Sequence, residues 1–170
     1  MPSTRRARIV GSNENEGDTT MRLLLVLAMT CAGAAAAQQV DGNAVRSCFA
    51  NTPIGETTPD CLGAASNACQ DQGFDTTQGI TQCIQAETAV WDDLLNAEYK
   101  STRAALADQD AALPDTLLTA QRAWIAFRDA ECALDYARWQ GGSIRSVVFA
   151  NCMMVMTARR TLELRDMKGN

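Results

Sequence analysis

TTQGITQCIQAETAVWDDLLNAEYKSTRAALA, Thr76 to Ala107, decides the fold. Its large apolar side chains Ile80, Ile84, Trp91, Leu95, Tyr99 and Leu106 recur at steps of four, seven, four, four and seven. Residues three or four apart share a helix face, so the spacing draws one apolar stripe along a helix of roughly eight turns. From Thr76 to Lys168 no stretch alternates apolar and polar residues as a half-buried strand would.

Downstream, Leu113-Pro114-Asp115 punctuates the pattern, and Asp115 or Thr116 is suited to cap a second helix. That helix is expected from about Thr116 to Gln140, burying Leu117, Ala120, Trp124, Phe127, Cys132 and Leu134, until Gly141-Gly142 stops it. Ser143 can cap a third helix, in which Ile144, Val148, Cys152, Val155, Arg159 and Leu162 repeat with helical spacing. Upstream, residues 38–75 are broken by Pro53, Gly55, Pro59, Gly63 and Gly73, with helical turns expected around Val45 and from Asp60 to Gln70. The expected fold is all-α: an antiparallel three-helix core in residues 76–170, with a short, disulfide-linked, helical N-terminal extension in residues 38–75.

The segment MRLLLVLAMTCAGAAAA, residues 21–37, has an Arg, an apolar run from Leu23 to Met29 and small residues ending in Ala35-Ala36-Ala37. This is the organisation of a cleavable export signal, with Gln38 as the first mature residue. The run is too short to span a bilayer, which needs about 20 apolar residues. Residues 1–20 mix Arg5, Arg6 and Arg8 with Glu14, Glu16 and Asp18, so they read as a non-native or extended leader with Met21 as the true start. A twin-arginine signal at Arg5-Arg6 is the alternative. Cys31 follows a poor match to a lipoprotein acceptor sequence. Either route delivers the protein to the periplasm or beyond.

The mature chain keeps six of the 7 cysteines: Cys48, Cys61, Cys69, Cys83, Cys132 and Cys152. An even number in an exported chain reads as a disulfide framework, and no CxxC suggests zinc or a redox pair. Six cysteines allow 15 connectivities, but residues on either side of a turn face each other when they are equidistant from it. Cys132 and Cys152 flank Gly142, Cys69 and Cys83 flank Thr76, and Cys48 and Cys61 flank Pro53-Ile54-Gly55. The expected pairs are therefore Cys48 with Cys61, Cys69 with Cys83, and Cys132 with Cys152; the alternative leaves some thiols free and buried.

The 170-residue chain contains 0 His and carries a net charge of -5. Histidine-dependent nucleophile and general-base schemes are excluded, and the acidic balance argues against nucleic acid. No cofactor or metal site is expected, and Met153, Met154 and Met156 read as core filling, with copper(I) the alternative. Residues 38–115 hold twelve acidic side chains against three basic. Such a half either steers a basic protein partner or forms an ordinary solvated face. Asp92 and Asp93, adjacent on a helix, point about 100° apart and cannot converge as an acid/base pair. In AQRAWIAFRDAEC, Ala120 to Cys132, four-residue steps put Trp124, Arg128 and Cys132 on one helix face. The expected role of Arg128 is structural, its stem on Trp124 and its head paired to a carboxylate of a neighbouring helix.

Taken together, Leu95-Asn96 with Tyr99, Gln121 with Trp124, Phe127-Arg128 and Cys132, and Thr157 with Arg160 and Leu164 resemble the LprI-type lysozyme-inhibitor family. The resemblance runs from about Cys69 to Leu164; Cys48 and Cys61 lie outside it. It implies an exported helical envelope protein that binds rather than catalyses, with lysozyme or another basic envelope protein as partner. The motif residues are expected to maintain the fold. Asp92, Asp93, Glu98, Asp108 and Asp110 are the candidate partner contacts, chosen for charge and expected exposure. The alternative is a non-inhibitory structural or assembly factor of the envelope.

Overall fold

The computed structural model describes residues 39–169; the leader and signal expectations for residues 1–37 lie outside the described residues. Five α-helices follow in order: α1 Gly42–Asn51, α2 Ala64–Gln70, α3 Thr77–Ala107, α4 Leu113–Arg138 and α5 Arg145–Asp166, then a 3-10 turn at Met167–Gly169. No strand occurs among the described residues. Hydroxyl and carboxylate caps start two of the helices where N–H groups would otherwise be orphaned. Asp41 accepts from Asn43 N and Ala44 N at 2.9 and 3.3 Å, and Thr76 Oγ1 accepts from Gly79 N at 3.0 Å.

The starts of the other long helices differ from expectation. α4 begins at Leu113, ahead of Asp115 and Thr116, because Pro114 fits the first turn, where its missing N–H is no loss. Asp110 supports this start by accepting from Ala112 N at 2.7 Å. Ser143 does not cap α5 through its side chain; backbone turns, Arg145 N to Gly142 O and Ser146 N to Ser143 O, lead into the helix instead.

α5 packs against both α3 and α4, most extensively on α3, while α1 and α2 lie on α3. One apolar core joins Val45, Cys48 and Ala65 of the extension to Ile84 and Trp91 of α3 and to Ala150, Met154 and Ala158 of α5. A second joins Leu95, Leu117 and Leu164, flanked by Tyr99, Leu106 and Trp124. The α3 stripe therefore faces inward. On α4, by contrast, Leu117 and Cys132 are buried, but Ala120, Phe127 and Leu134 face solvent. Ile144, just before α5, and Arg159 on it are exposed, and the buried side of α5 contains Thr157, Ala158, Thr161, Leu162 and Leu164. Buried hydroxyls are satisfied by carbonyls: Thr161 Oγ1 donates to Thr157 O at 2.8 Å, and Thr102 Oγ1 to Leu164 O at 2.7 Å.

Disulfides join Cys48 to Cys61, Cys69 to Cys83 and Cys132 to Cys152, with Cα separations of 5.8, 5.8 and 5.5 Å. These are the pairs that the turn positions single out. Each closes a short loop, and together they tie α1 to the following turn, α2 to α3, and α4 to α5. Two polar side chains hold the extension further. The buried Glu87 carboxylate accepts from Gly63 N and Ser66 N at 2.9 and 2.8 Å, seating the start of α2 on α3. Arg165 donates to Phe49 O, Thr52 O and Pro53 O at 3.0, 2.9 and 3.2 Å, satisfying carbonyls at and just beyond the C-terminus of α1.

Candidate functional site

Between the long helices runs a groove made of two adjoining hollows, of about 330 and 250 Å³, that share Asp92 and Arg128. The first lies between α3 and α5, where Thr88, Phe149, Met153 and Thr157 line it. The second lies between α3 and α4, where Leu95, Asn96 and Tyr99 face Gln121, Trp124 and Ile125. Its mixture of aromatic rings, amides and opposite charges suits contact with a protein surface.

Arg128 is the hinge of the two hollows. Its guanidinium lies 5.1 Å from the Trp124 ring centroid, as the four-residue spacing requires. Its carboxylate partner is not on a neighbouring helix: Nε and Nη2 donate to Asp129 Oδ1, the next residue of α4, at 3.0 and 2.9 Å. The side chain α5 offers is a hydroxyl, Thr157 Oγ1, at 3.4 Å from Nη1. Asp92, across the groove, accepts from Asn96 Nδ2 at 3.2 Å and keeps an exposed carboxylate.

Behind this surface, buried Arg160 donates through Nε to Gln121 Oε1 at 2.9 Å and through Nη1 to Glu163 Oε2 at 3.0 Å, fixing Gln121 from α5. The Tyr99 hydroxyl oxygen is enclosed and finds no partner among the described residues. Of the motif residues, Leu95, Asn96, Tyr99, Gln121, Trp124, Arg128 and Thr157 meet along the groove. Arg160 supports it, and Leu164 lies in the core beneath. Phe127 lies on the far side of α4, 58% exposed.

The candidate contact carboxylates do not form one cluster. Asp92 and Asp93 are exposed in the middle of α3, whereas Asp108 and Asp110 are exposed after its end. Asp92 and Asp108 are thus about 24 Å apart along the axis at 1.5 Å per residue. Glu98 is not an exposed contact: its side chain is 15% exposed and ion-paired with Lys168, which the 3-10 turn after α5 brings back against α3. The three methionines are dispersed, with Met154 in the core, Met153 in the first hollow and Met156 sulfur 3.8 Å from both Cys132 Sγ and Cys152 Sγ. Among the described residues no cluster of His, Cys, Asp and Glu could hold a metal, and no helix is long and apolar enough to cross a membrane.

Sequence reasoning missed Glu87 and Arg165. Glu87 had a signal, since it lies three residues after Ile84 and four before Trp91, a charge inside the apolar stripe. Arg165 had none, because the three carbonyls it binds are over a hundred residues away.

These features define a small helical domain braced by disulfides, whose characteristic side chains from three helices meet at one surface groove. The chain belongs to the family described as Lysozyme inhibitor LprI, which it matches over residues 69–164. It is 32% identical over 127 residues to the uncharacterized protein R02472 of Rhizobium meliloti (strain 1021), the alignment covering 71% of this chain and 86% of the relative. No solved structure matches it. The family match starts at Cys69, so α1 and the Cys48–Cys61 bridge precede it. The disulfides and the family together suggest an exported protein.

Proposed function

We propose that this protein is exported to the periplasm or the extracellular space by the signal in residues 21–37 and there inhibits lysozyme by docking on it. The observation that carries the reading is the LprI match, whose span contains every groove residue named above. In support, Asp92 lines the groove, exposed Asp93 is its neighbour on α3, and exposed Asp108 and Asp110 follow the end of the same helix. A basic enzyme is steered toward these charges, and the docked domain obstructs its carboxylate-lined cleft. Exposed charges are screened over about 8 to 10 Å at physiological salt, so inhibition weakens as salt is added. The role proposed is binding rather than catalysis, in keeping with an inhibitor family.

The test is the rate at which a c-type lysozyme clears a cell-wall suspension as the oxidised protein is titrated in at low and moderate salt. Stoichiometric, salt-sensitive inhibition is expected, with loss of inhibition in the variant carrying D92N, D93N, D108N and D110N together. Unchanged inhibition by that variant sinks the charge-docking account, and no inhibition at either salt sinks the lysozyme reading. The apolar lining contributed by Phe149, Ala150 and Met153 favours a second reading, an envelope assembly factor that holds a partner peptide. Peptide capture in that groove would survive high salt.

A further inference from the structure

Gln121 is 7% exposed, yet it lines the hollow between α3 and α4. Its orientation is fixed. Arg160 Nε, which can only donate, meets the amide at 2.9 Å and so holds Oε1 toward α5. The NH2 at the other end of the amide finds no acceptor among the described residues, and it is not enclosed as the Tyr99 hydroxyl is. A buried amide that uses only half of its hydrogen-bonding capacity offers the other half to whatever enters the hollow.

The neighbouring side chains repeat this imbalance. Arg122 lines the same hollow, is exposed, and has no ion-pair partner among the described residues. The carboxylate in the lining, Asp92, already accepts from Asn96. The hollow therefore offers donors and lacks an acceptor. Its volume, about 250 Å³, falls below the ~300 Å³ at which small-molecule sites usually begin, and it suits a single side chain.

We propose that this hollow receives a carboxylate side chain of the docked partner, with Gln121 Nε2 and the Arg122 guanidinium donating to its oxygens and its aliphatic stem lying against Leu118 and Ile125. The proposal rests on the docking role given above. A charged donor beside a neutral one favours a carboxylate over an amide, because hydrogen bonds between ionised groups are about twice as strong. The acidic residues of α3 draw a basic protein from a distance, whereas the hollow selects one acidic residue on that protein and so fixes the register of docking.

Heteronuclear NMR with N-acetyl-glutamate N-methylamide tests the hollow without a protein partner. The expected result is a saturable shift of the Gln121 side-chain NH2 and Arg122 Nε signals that the glutamine counterpart of the probe does not produce. Q121E is the sharper variant, because Arg160 keeps its acceptor and the helical circular dichroism should persist, while a negative charge replaces the NH2. In the cell-wall clearing assay Q121E should raise the inhibition constant at least ~tenfold, a change of about 1.4 kcal/mol. R122Q, at an exposed position, should weaken inhibition in the same direction. A glutamate-specific shift with no inhibition by the unaltered protein would support the carboxylate pocket and overturn the lysozyme reading. An absent or glutamine-like shift, or inhibition that Q121E and R122Q leave unchanged, would overturn the carboxylate pocket.

Discussion

Trp91 Nε1 donates to Glu87 Oε1 at 3.2 Å, one turn back along α3, and that carboxylate also receives Gly63 N and Ser66 N. Glu87 is 1% exposed and Trp91 0%. Three N–H donors thus stand in for the water a buried carboxylate has lost. The group ties the indole, the start of α2 and α3 into one unit within the core shared by α3, α5 and the extension.

Replacing Glu87 by Ala leaves those three donors enclosed without an acceptor. Each unsatisfied buried group costs about 1–3 kcal/mol, so E87A should lower the urea midpoint far more than an exposed control such as D93A. E87Q keeps the shape but turns an NH2 toward a donor, and it should fall between the two. Equal midpoints for E87A and D93A would show that the contact contributes nothing.

Arg165 makes a second prediction, because its guanidinium forks among three carbonyls and lies 5.5 Å from the Phe49 ring centroid. Lysine preserves the charge but not the fork. R165K should therefore lose most of the stability that R165A loses, on the order of 2 kcal/mol. Limited proteolysis supplies the local readout: both variants should be cut faster in the turn around Ile54, which is 74% exposed. Wild-type cleavage rates in R165K would mean that charge alone holds the segment.

What the sequence made legible follows from where each element keeps its information. The α3 stripe is visible because Ile84, Trp91 and Leu95 are large and apolar, and the Trp124–Arg128 contact is visible because it lies within one helix. The cysteine pairs are visible because each loop turns back locally. The buried side of α5 is hidden, since Thr157 and Thr161 read as surface residues until their hydroxyls are seen to donate to backbone or accept from Arg128. On α4 hydropathy misleads in the other direction, since Phe127 and Leu134 face out. The groove itself depends on how α3, α4 and α5 pack, as does the Lys168 pairing that removes Glu98 from the surface, and no local spacing encodes either.

Access to the bridges should set the order in which reductant opens them. Cys61 is exposed, whereas Cys69, Cys83 and Cys132 are 1%, 0% and 0% exposed. Under limiting reductant, Cys48–Cys61 should open first while the core remains folded, and alkylation followed by peptide mass analysis should find the label on those two residues. Label appearing first on Cys69 and Cys83 would contradict this order.

A last prediction concerns the sign of a common stabilising change. Alanine in place of a helical glycine ordinarily gains about 1 kcal/mol. Gly79, in the first turn of α3, is an exception, because a Cβ there would lie 2.9 Å from Phe74 O and 3.0 Å from Phe74 C. Retreat is restricted, since Phe74 N is bonded to Gln70 O at 3.0 Å and the Cys69–Cys83 bridge pins α2 to α3. Steric displacement of a packed backbone costs about 1–3 kcal/mol, enough to reverse the gain. Gly141 is the control, with open space at its Cβ position and no positive φ. In thermal melts G79A should lower Tm while G141A leaves it unchanged or slightly raised. A higher Tm in G79A would mean that the turn between α2 and α3 yields at little cost, and that the bridge does not hold it against α3.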